Sequence, residues 1–250
     1  MLVSIIIPVF NQWPYTEKCL KSIQQYTTYP HEIIIIDNGS KDETAKELTG
    51  NSTIKLLTNP HNLGFARACN QGAKIARGEL LLFLNNDTIV TPGWLRSMVN
   101  LLTDSKIGVV GNKLLFPDTN RIQHTGVFLH NKLPGHIYYN QPGNFSESNI
   151  KKIYPAVTGA CLLTRKILFL EVGGFDETYI NGYEDVDYCL KIWEKGYKVI
   201  YCPDSIIYHY GSISAGRHLL EKQNLACFLE KWKNKLKSGK IINENPLKNS

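Results

Sequence analysis

Four short segments carry residues whose types and spacing suit chemistry on a bound ligand. In the first, the β-branched run Ile33-Ile34-Ile35-Ile36 ends at Asp37-Asn38-Gly39-Ser40. A carboxylate leaving a buried strand accepts bonds from a base N–H or a ribose hydroxyl. Asp-Asn-Gly-Ser is equally good turn chemistry, with Asp42 opening the next helix. In the second, Leu80-Leu81-Leu82-Phe83-Leu84 runs into Asn85-Asn86-Asp87. A hard divalent cation takes oxygen ligands and shares them with diphosphate oxygens. Asp87 can supply a carboxylate and Asn85 a carbonyl oxygen; the alternative is a polar cap on a buried strand.

The third segment is Gly182-Tyr183-Glu184-Asp185-Val186-Asp187. Acids favour a helix start through the macrodipole. A carboxylate there can also take the proton of a hydroxyl nucleophile as general base. Glu184 and Asp185 precede the apolar face, so either can point into a cleft, whereas Asp187 suits the helix terminus. In the fourth, His209 ends a strand-like run ahead of Tyr210-Gly211-Ser212. A histidine so placed can ligate a metal or simply be a satisfied core or surface residue.

The elements that must position these residues are legible in outline. Apolar runs at Leu2–Ile7, Glu32–Ile36, Ile54–Leu57 and Leu80–Leu84 read as buried strands. They alternate with helical spacing over Trp13–Thr27, Lys41–Leu48 and Gly64–Ala76, the last with small residues on one face. Such alternation predicts a mostly parallel sheet covered by helices on both faces. Ligands on such sheets bind at the carboxyl ends of the strands, where Asp37 and Asn85-Asn86-Asp87 stand. Residues 117–155 are rich in Pro, Gly, Asn and Tyr and show no period, which marks a long functional loop. Beyond it come a strand at Ala160–Leu163, a short helix to Leu170, a helix over Glu184–Lys195, strands at Lys198–Tyr201 and Ser205–His209, and a final helix over Leu219–Leu236. Trp13 and Trp94 read as packing residues with a second use in stacking on a sugar ring.

Composition bounds the rest. The 250 residues suit one large domain with at most a small appendage. The formal charge of +6 is modest, and Lys222, Lys231, Lys233, Lys235, Lys237 and Lys240 crowd the last segment. That basic helix reads first as a solvated face and second as a contact for anionic lipid or an acidic acceptor. The six cysteines form no C-x-x-C pair, which suggests a reducing compartment. No signal peptide is evident and no apolar stretch reaches the ~20 residues that span a bilayer. A cytoplasmic protein, available to the inner face of the membrane, is expected.

In this order the segments resemble the inverting family-2 glycosyltransferases of the GT-A, or nucleotide-diphospho-sugar transferase, fold. Val3-Ser4-Ile5-Ile6-Ile7-Pro8-Val9-Phe10-Asn11 is similar to that family's first strand and nucleotide loop, and Asn62-Leu63-Gly64-Phe65-Ala66-Arg67-Ala68-Cys69-Asn70-Gln71-Gly72 to its third-strand exit and next helix. Gly159-Ala160-Cys161-Leu162-Leu163 and Gly173-Gly174-Phe175-Asp176-Glu177 resemble its pre-catalytic segment. The resemblance covers residues 2–215 and implies a domain over 1–215, with a nucleotide-binding part to about 115, an acceptor part over 116–215, and a C-terminal helix and basic tail over 216–250.

The resemblance also implies roles. Pro8, Val9, Asn11, Asp37, Asn62, Arg67 and Asn70 would serve the nucleotide-sugar, with Asp37 on the base or ribose. Asn85-Asn86-Asp87 would be the Asp-x-Asp metal motif, Asp87 binding Mg²⁺ or Mn²⁺ on the donor diphosphate and His209 completing the site. Asp185, beside Glu184, would be the catalytic base, and Arg217 would offset charge on the leaving group. Asn85 departs from the usual acid, as in a rhamnosyltransferase-like subset of the family. The implied reaction moves a sugar from a UDP- or dTDP-sugar to a hydroxyl of a saccharide, a lipid-linked saccharide or a protein. Two alternatives remain: a transferase-like binding module without catalysis, and a nucleotidyltransferase. Against the latter, Pro8-Val9-Phe10-Asn11-Gln12-Trp13 contains neither Gly nor Lys for a triphosphate. No G-x-G-x-x-G follows a strand, and no basic stripe with interleaved aromatics marks a nucleic-acid binder.

Overall fold

Strands whose side chains are apolar on both faces need a cover on both sides, and that need organises this chain. The computed structural model describes residues 1–130, 133–211 and 221–236. The amino-terminal half gives strands β1 (Val3–Val9), β2 (His31–Asp37), β3 (Ile54–Thr58) and β4 (Leu80–Leu84), interleaved with helices α1 (Trp13–Tyr26), α2 (Thr44–Leu48) and α3 (Phe65–Ile75). β1 pairs in parallel with both β2 and β4, and β2 with β3. Along β1 the side chains alternate between two cores. Ile6 joins one face with α3, while Ile5 and Ile7 join the other with Cys19 and Ile23 of α1. The small face of α3 (Ala66, Ala68, Gly72, Ala73) is what lets that helix lie close to the sheet; a side chain at Gly72 would collide with Ile6.

The sheet continues through β5 (Thr88–Val90), helix α4 (Trp94–Leu101) and β6 (Ile107–Leu115), none of them apparent from periodicity. Trp94 is fully buried and donates its indole N–H to Thr27, so packing is its role. Residues 117–155 are more ordered than their composition implies. They hold β7 (Ile122–His124), a hairpin of β8 (Val127–His130) and β9 (Leu133–His136), and the short β10 (Lys152–Ile153). Then follow β11 (Cys161–Arg165), α5 (Lys166–Glu171), α6 (Glu184–Glu194), β12 (Lys198–His209) and α7 (Glu221–Trp232). The two strands expected over 198–209 are one, with a register break between Cys202 and Ile206.

The main sheet runs in the order β10-β12-β6-β11-β4-β1-β2-β3, with β5 on β12 and β7 on β6. β11 is antiparallel to both β4 and β6, so the sheet is mixed around a mostly parallel centre. α7 closes one face. Its Phe228 and Trp232 enter the core, Lys231 pairs with Asp176 and Asp187, and Lys235 pairs with Glu194. Two lysines of the basic segment are thus held by carboxylates. Arg217, Leu219 and the polar tail beyond 236 lie outside the described residues. Among the described residues no helix is long and apolar enough to cross a membrane.

Candidate functional site

The carboxyl ends of β1 and β4 open onto a cleft whose other wall is the start of α6. The space between atoms there is about 1020 Å³, part of it open to solvent. Pro8, Val9, Asn62, Asn85, Asn86, Asp87, Glu184 and Asp185 all line it. Three carboxylates, one at the exit of β4 and two at the start of α6, therefore line one space.

On the β4 side, Asp87 is 4 % exposed. Its Oδ2 accepts the N–H of Gly211 at 3.0 Å, and its Oδ1 lies 3.1 Å from His209 Nε2. Burial pushes the carboxyl up, but the bonds from His209 and Gly211 and the charge on His209 outweigh it, so Asp87 sits below the ordinary carboxylate value. His209 Nδ1 donates to Gln123 Oε1 at 2.5 Å, and the Asn85 amide lies 3.1 Å from Nε2. Asn86 donates to Thr16 Oγ1 at 2.9 Å. Pairing of β5 with the end of β12 is what carries His209 to Asp87: His209 is opposite Thr88 in the register.

On the α6 side, the chain climbs through Asn181, Gly182 and Tyr183 at φ of 54°, 151° and 75°. A bulky residue in the left-handed region is strained and is held by its surroundings; here Tyr183 packs on Phe228 of α7. The helix starts at once after it. Asp185 Oδ2 accepts the Gly159 N–H at 2.7 Å and Oδ1 accepts its neighbour Val186 N–H at 2.8 Å. Glu184 Oε2 accepts the Gly182 N–H at 2.6 Å. Asp187 is fully buried and serves the helix terminus, with Lys191, Lys231 and the Trp232 indole around it.

The remaining residues sort by position. Asn11 adopts φ 56° and exchanges bonds with the β2 exit, its N–H to Ser40 Oγ and its Oδ1 from the Lys41 N–H. It ties two loops rather than lining the cleft. Asp37 accepts the Ser40 N–H within its own turn and is 1 % exposed; it is its neighbour Asn38 that lines the cleft. Arg67 pairs with Glu177, and Asn70 bonds Phe175 and Glu177, so both brace the turn before α6. Sequence reasoning passed over Gln123, His124 and Thr158. His124 Nε2 accepts the Thr158 N–H, so its proton sits on Nδ1, which donates to His136 at 2.8 Å. Burial, with His136 and His209 adding to it, holds His124 well below the usual imidazole value and therefore neutral. A lone Gln-His in an irregular stretch offers no periodic or motif signal that would have revealed either residue.

The description Glycosyl transferase family 2 matches residues 4–170. The chain belongs to this family. It is 33% identical over 228 residues to the uncharacterized protein y4gI of Sinorhizobium fredii, covering 86% of this chain and 25% of that protein. It is 33% identical over 223 residues to the O-antigen biosynthesis protein RfbC of Myxococcus xanthus, covering 85% of this chain and 17% of that one. The chain thus spans a quarter or less of these relatives. GalNAc-T7, solved with UDP, GalNAc and Mn²⁺, superposes with a TM-score of 0.76 at 19% identity over 94% of this chain and 50% of that chain. The GT-A fold that the resemblance implies is the fold observed.

For this family-2 chain, Asp87 and His209 are the pair suited to a divalent cation. Their 3.1 Å separation matches adjacent ligands on an octahedral ion, about 3.0 Å apart for bonds of about 2.1 Å. Among the described residues no cluster of three or more His, Cys, Asp or Glu offers an all-protein cage. One carboxylate plus one imidazole, with diphosphate oxygens and water filling the remaining positions, is a set that Mg²⁺ or Mn²⁺ accepts.

Proposed function

We propose that this glycosyltransferase moves a sugar from a nucleoside diphosphate donor, of the UDP- or dTDP-sugar class, to a hydroxyl of a saccharide, lipid-linked saccharide or protein, with inversion at the anomeric carbon. One observation carries the reading: Asp87 at the exit of β4 and Asp185 at the start of α6 line the same cleft. The nucleotide lies along Pro8, Val9 and Asn38, in the part of the domain up to about residue 115. Asp87 and His209 hold Mg²⁺ or Mn²⁺ at the diphosphate. When bound, the cation offsets the charge that develops on the departing diphosphate.

The carboxylate of Asp185 takes the acceptor's hydroxyl proton as the acceptor oxygen forms its bond to the anomeric carbon from the face opposite the diphosphate. The bond from that carbon to the diphosphate oxygen breaks, and its electron pair leaves with the nucleoside diphosphate. Gly159 and Val186 fix the carboxylate through their N–H groups and leave each oxygen a further acceptor direction. Glu184, engaged by Gly182, shapes the loop that meets the acceptor.

Ligands that bind the native state raise its apparent stability. A thermal-shift panel of UDP-, dTDP- and GDP-sugars with and without Mn²⁺, followed by an assay for nucleoside diphosphate release, tests the reading. A Mn²⁺-dependent shift with one donor and measurable release are the expected results. No shift with any donor would instead support a non-catalytic module.

A further inference from the structure

Gln123 stands outside the cleft yet spends its whole amide on one residue of the site. Its Oε1 accepts from His209 Nδ1 at 2.5 Å, and its Nε2 donates to the carbonyl oxygen of the same His209 at 3.2 Å. The first bond fixes the ring and the second fixes the main chain behind it. A glutamine oxygen can only accept, so Nδ1 carries a proton. The ring nitrogen turned to Asp87 and Asn85 is then Nε2, and with the proton kept on Nδ1 it is the nitrogen left to offer a lone pair once a cation replaces its bond to Asp87.

We propose that Gln123 is the positioning residue of the cation site, selecting the His209 tautomer that can ligate and holding Nε2 beside Asp87. Two independent features of the fold are arranged around it. Gly211 has φ +67°, and a Cβ there would come within 2.9 Å of Gln123 Nε2. A side chain at 211 would therefore displace the clasp, while the Gly211 N–H itself holds Asp87 Oδ2. Gly211 thus serves both sides, its N–H holding Asp87 and its missing side chain leaving room for Gln123. Second, Gln123 sits between Ile122 and His124, both buried, on a strand paired with β6. Alternation along β7 turns Gln123 to the face opposite Ile122 and His124, and it is Gln123 that bonds His209.

The inference rests on the reading of Asp87 and His209 as cation ligands, so its test measures cation uptake directly. Mn²⁺ is titrated into the parent, Gln123→Met and Gln123→Glu, with UDP and with dTDP present, and free Mn²⁺ is followed by electron paramagnetic resonance. Met keeps the length and loses both bonds; Glu keeps an acceptor for Nδ1. The expected outcome is Mn²⁺ binding weaker by about 10- to 100-fold in Gln123→Met, with Gln123→Glu at least as tight as the parent. In the release assay the Mn²⁺ needed for half-activation rises with the loss of binding, while donor KM at saturating Mn²⁺ stays put. Parent-like uptake by Gln123→Met overturns the proposal and leaves the cation reading standing. So does equal weakening in a folded Gln123→Glu, because restoring the acceptor would then restore nothing. A parent that takes up no Mn²⁺ with either nucleotide overturns the cation reading, and this inference with it.

Discussion

The Gly159 N–H donates to Asp185 Oδ2 at 2.7 Å, and a methyl on Gly159 would lie 3.2 Å from Asp185 Cβ and 3.3 Å from the Phe65 ring. The glycine therefore lets the segment before β11 come close enough to aim the carboxylate. Gly159→Ala is expected to lower kcat about tenfold with little change in thermal midpoint, since small misplacements of reacting groups are costly. Steady-state kinetics beside a melting curve check this; parent-like kcat would show that the close approach is packing alone.

Asp185→Asn keeps the shape and removes the proton acceptor. The expected loss in kcat is about 10²- to 10⁴-fold, with nucleotide and Mn²⁺ binding retained by calorimetry. Comparable transfer rates in variant and parent would remove Asp185 from the role and direct attention to Glu184, its neighbour on the same wall.

Asp87→Ala takes away one of the two proposed cation ligands and leaves the Gly211 N–H without its acceptor. Mn²⁺ for half-activation should rise by at least about tenfold, while Asp185-dependent chemistry at saturating Mn²⁺ falls less. Half-activation at the parent's Mn²⁺ concentration would place the cation elsewhere.

Acid stability reports on the attachment of α7. Burial pushes the Asp176 carboxyl up, but bonds from Lys231 and Thr178 and the Lys231 charge bring it from 3.8 down to about 2. A carboxyl depressed in the folded state stabilises fully above its unfolded value, and that contribution fades as pH falls from 3.8 through about 2. Asp176→Asn should accordingly lose less thermal midpoint than the parent over that window. The difference should shrink in added salt, because the pair is partly exposed. Parallel curves for the two proteins would mean that the Lys231 pair contributes nothing in solution.

What could be read from the residues was the part built on local rules. β1 to β4 are continuous apolar runs that end in polar turns, and Asp87, Glu184-Asp185 and His209 stand at strand ends or a helix start, where ligands gather. β6 escaped because Gly108, Gly111, Asn112 and Lys113 interrupt its apolar run. Those residues answer to distant ones. Val157 fills the space over Gly111, Ile192 that over Gly108, and Lys113 reaches Gly143 and Asn149. β12 read as two strands because Pro203 sits at its register break. Asp37 had two readings of equal chemistry, and its bond from the Ser40 N–H shows that it serves the turn. Gln123 was invisible because a single glutamine means nothing until the sheet sets it against His209.

The clasp of α7 on Asp187 bears on the order in which the domain assembles. Asp187 has no exposure, and two of its partners, Lys231 and the Trp232 indole, arrive 44 and 45 residues later in the chain. A nascent chain that has completed every strand of the main sheet still carries a desolvating carboxylate on α6 without those partners. Asn224, which both donates to and accepts from Ile180, is likewise missing from the loop that leads into α6. The cleft wall bearing Glu184 and Asp185 therefore has its full set of partners only with α7 docked.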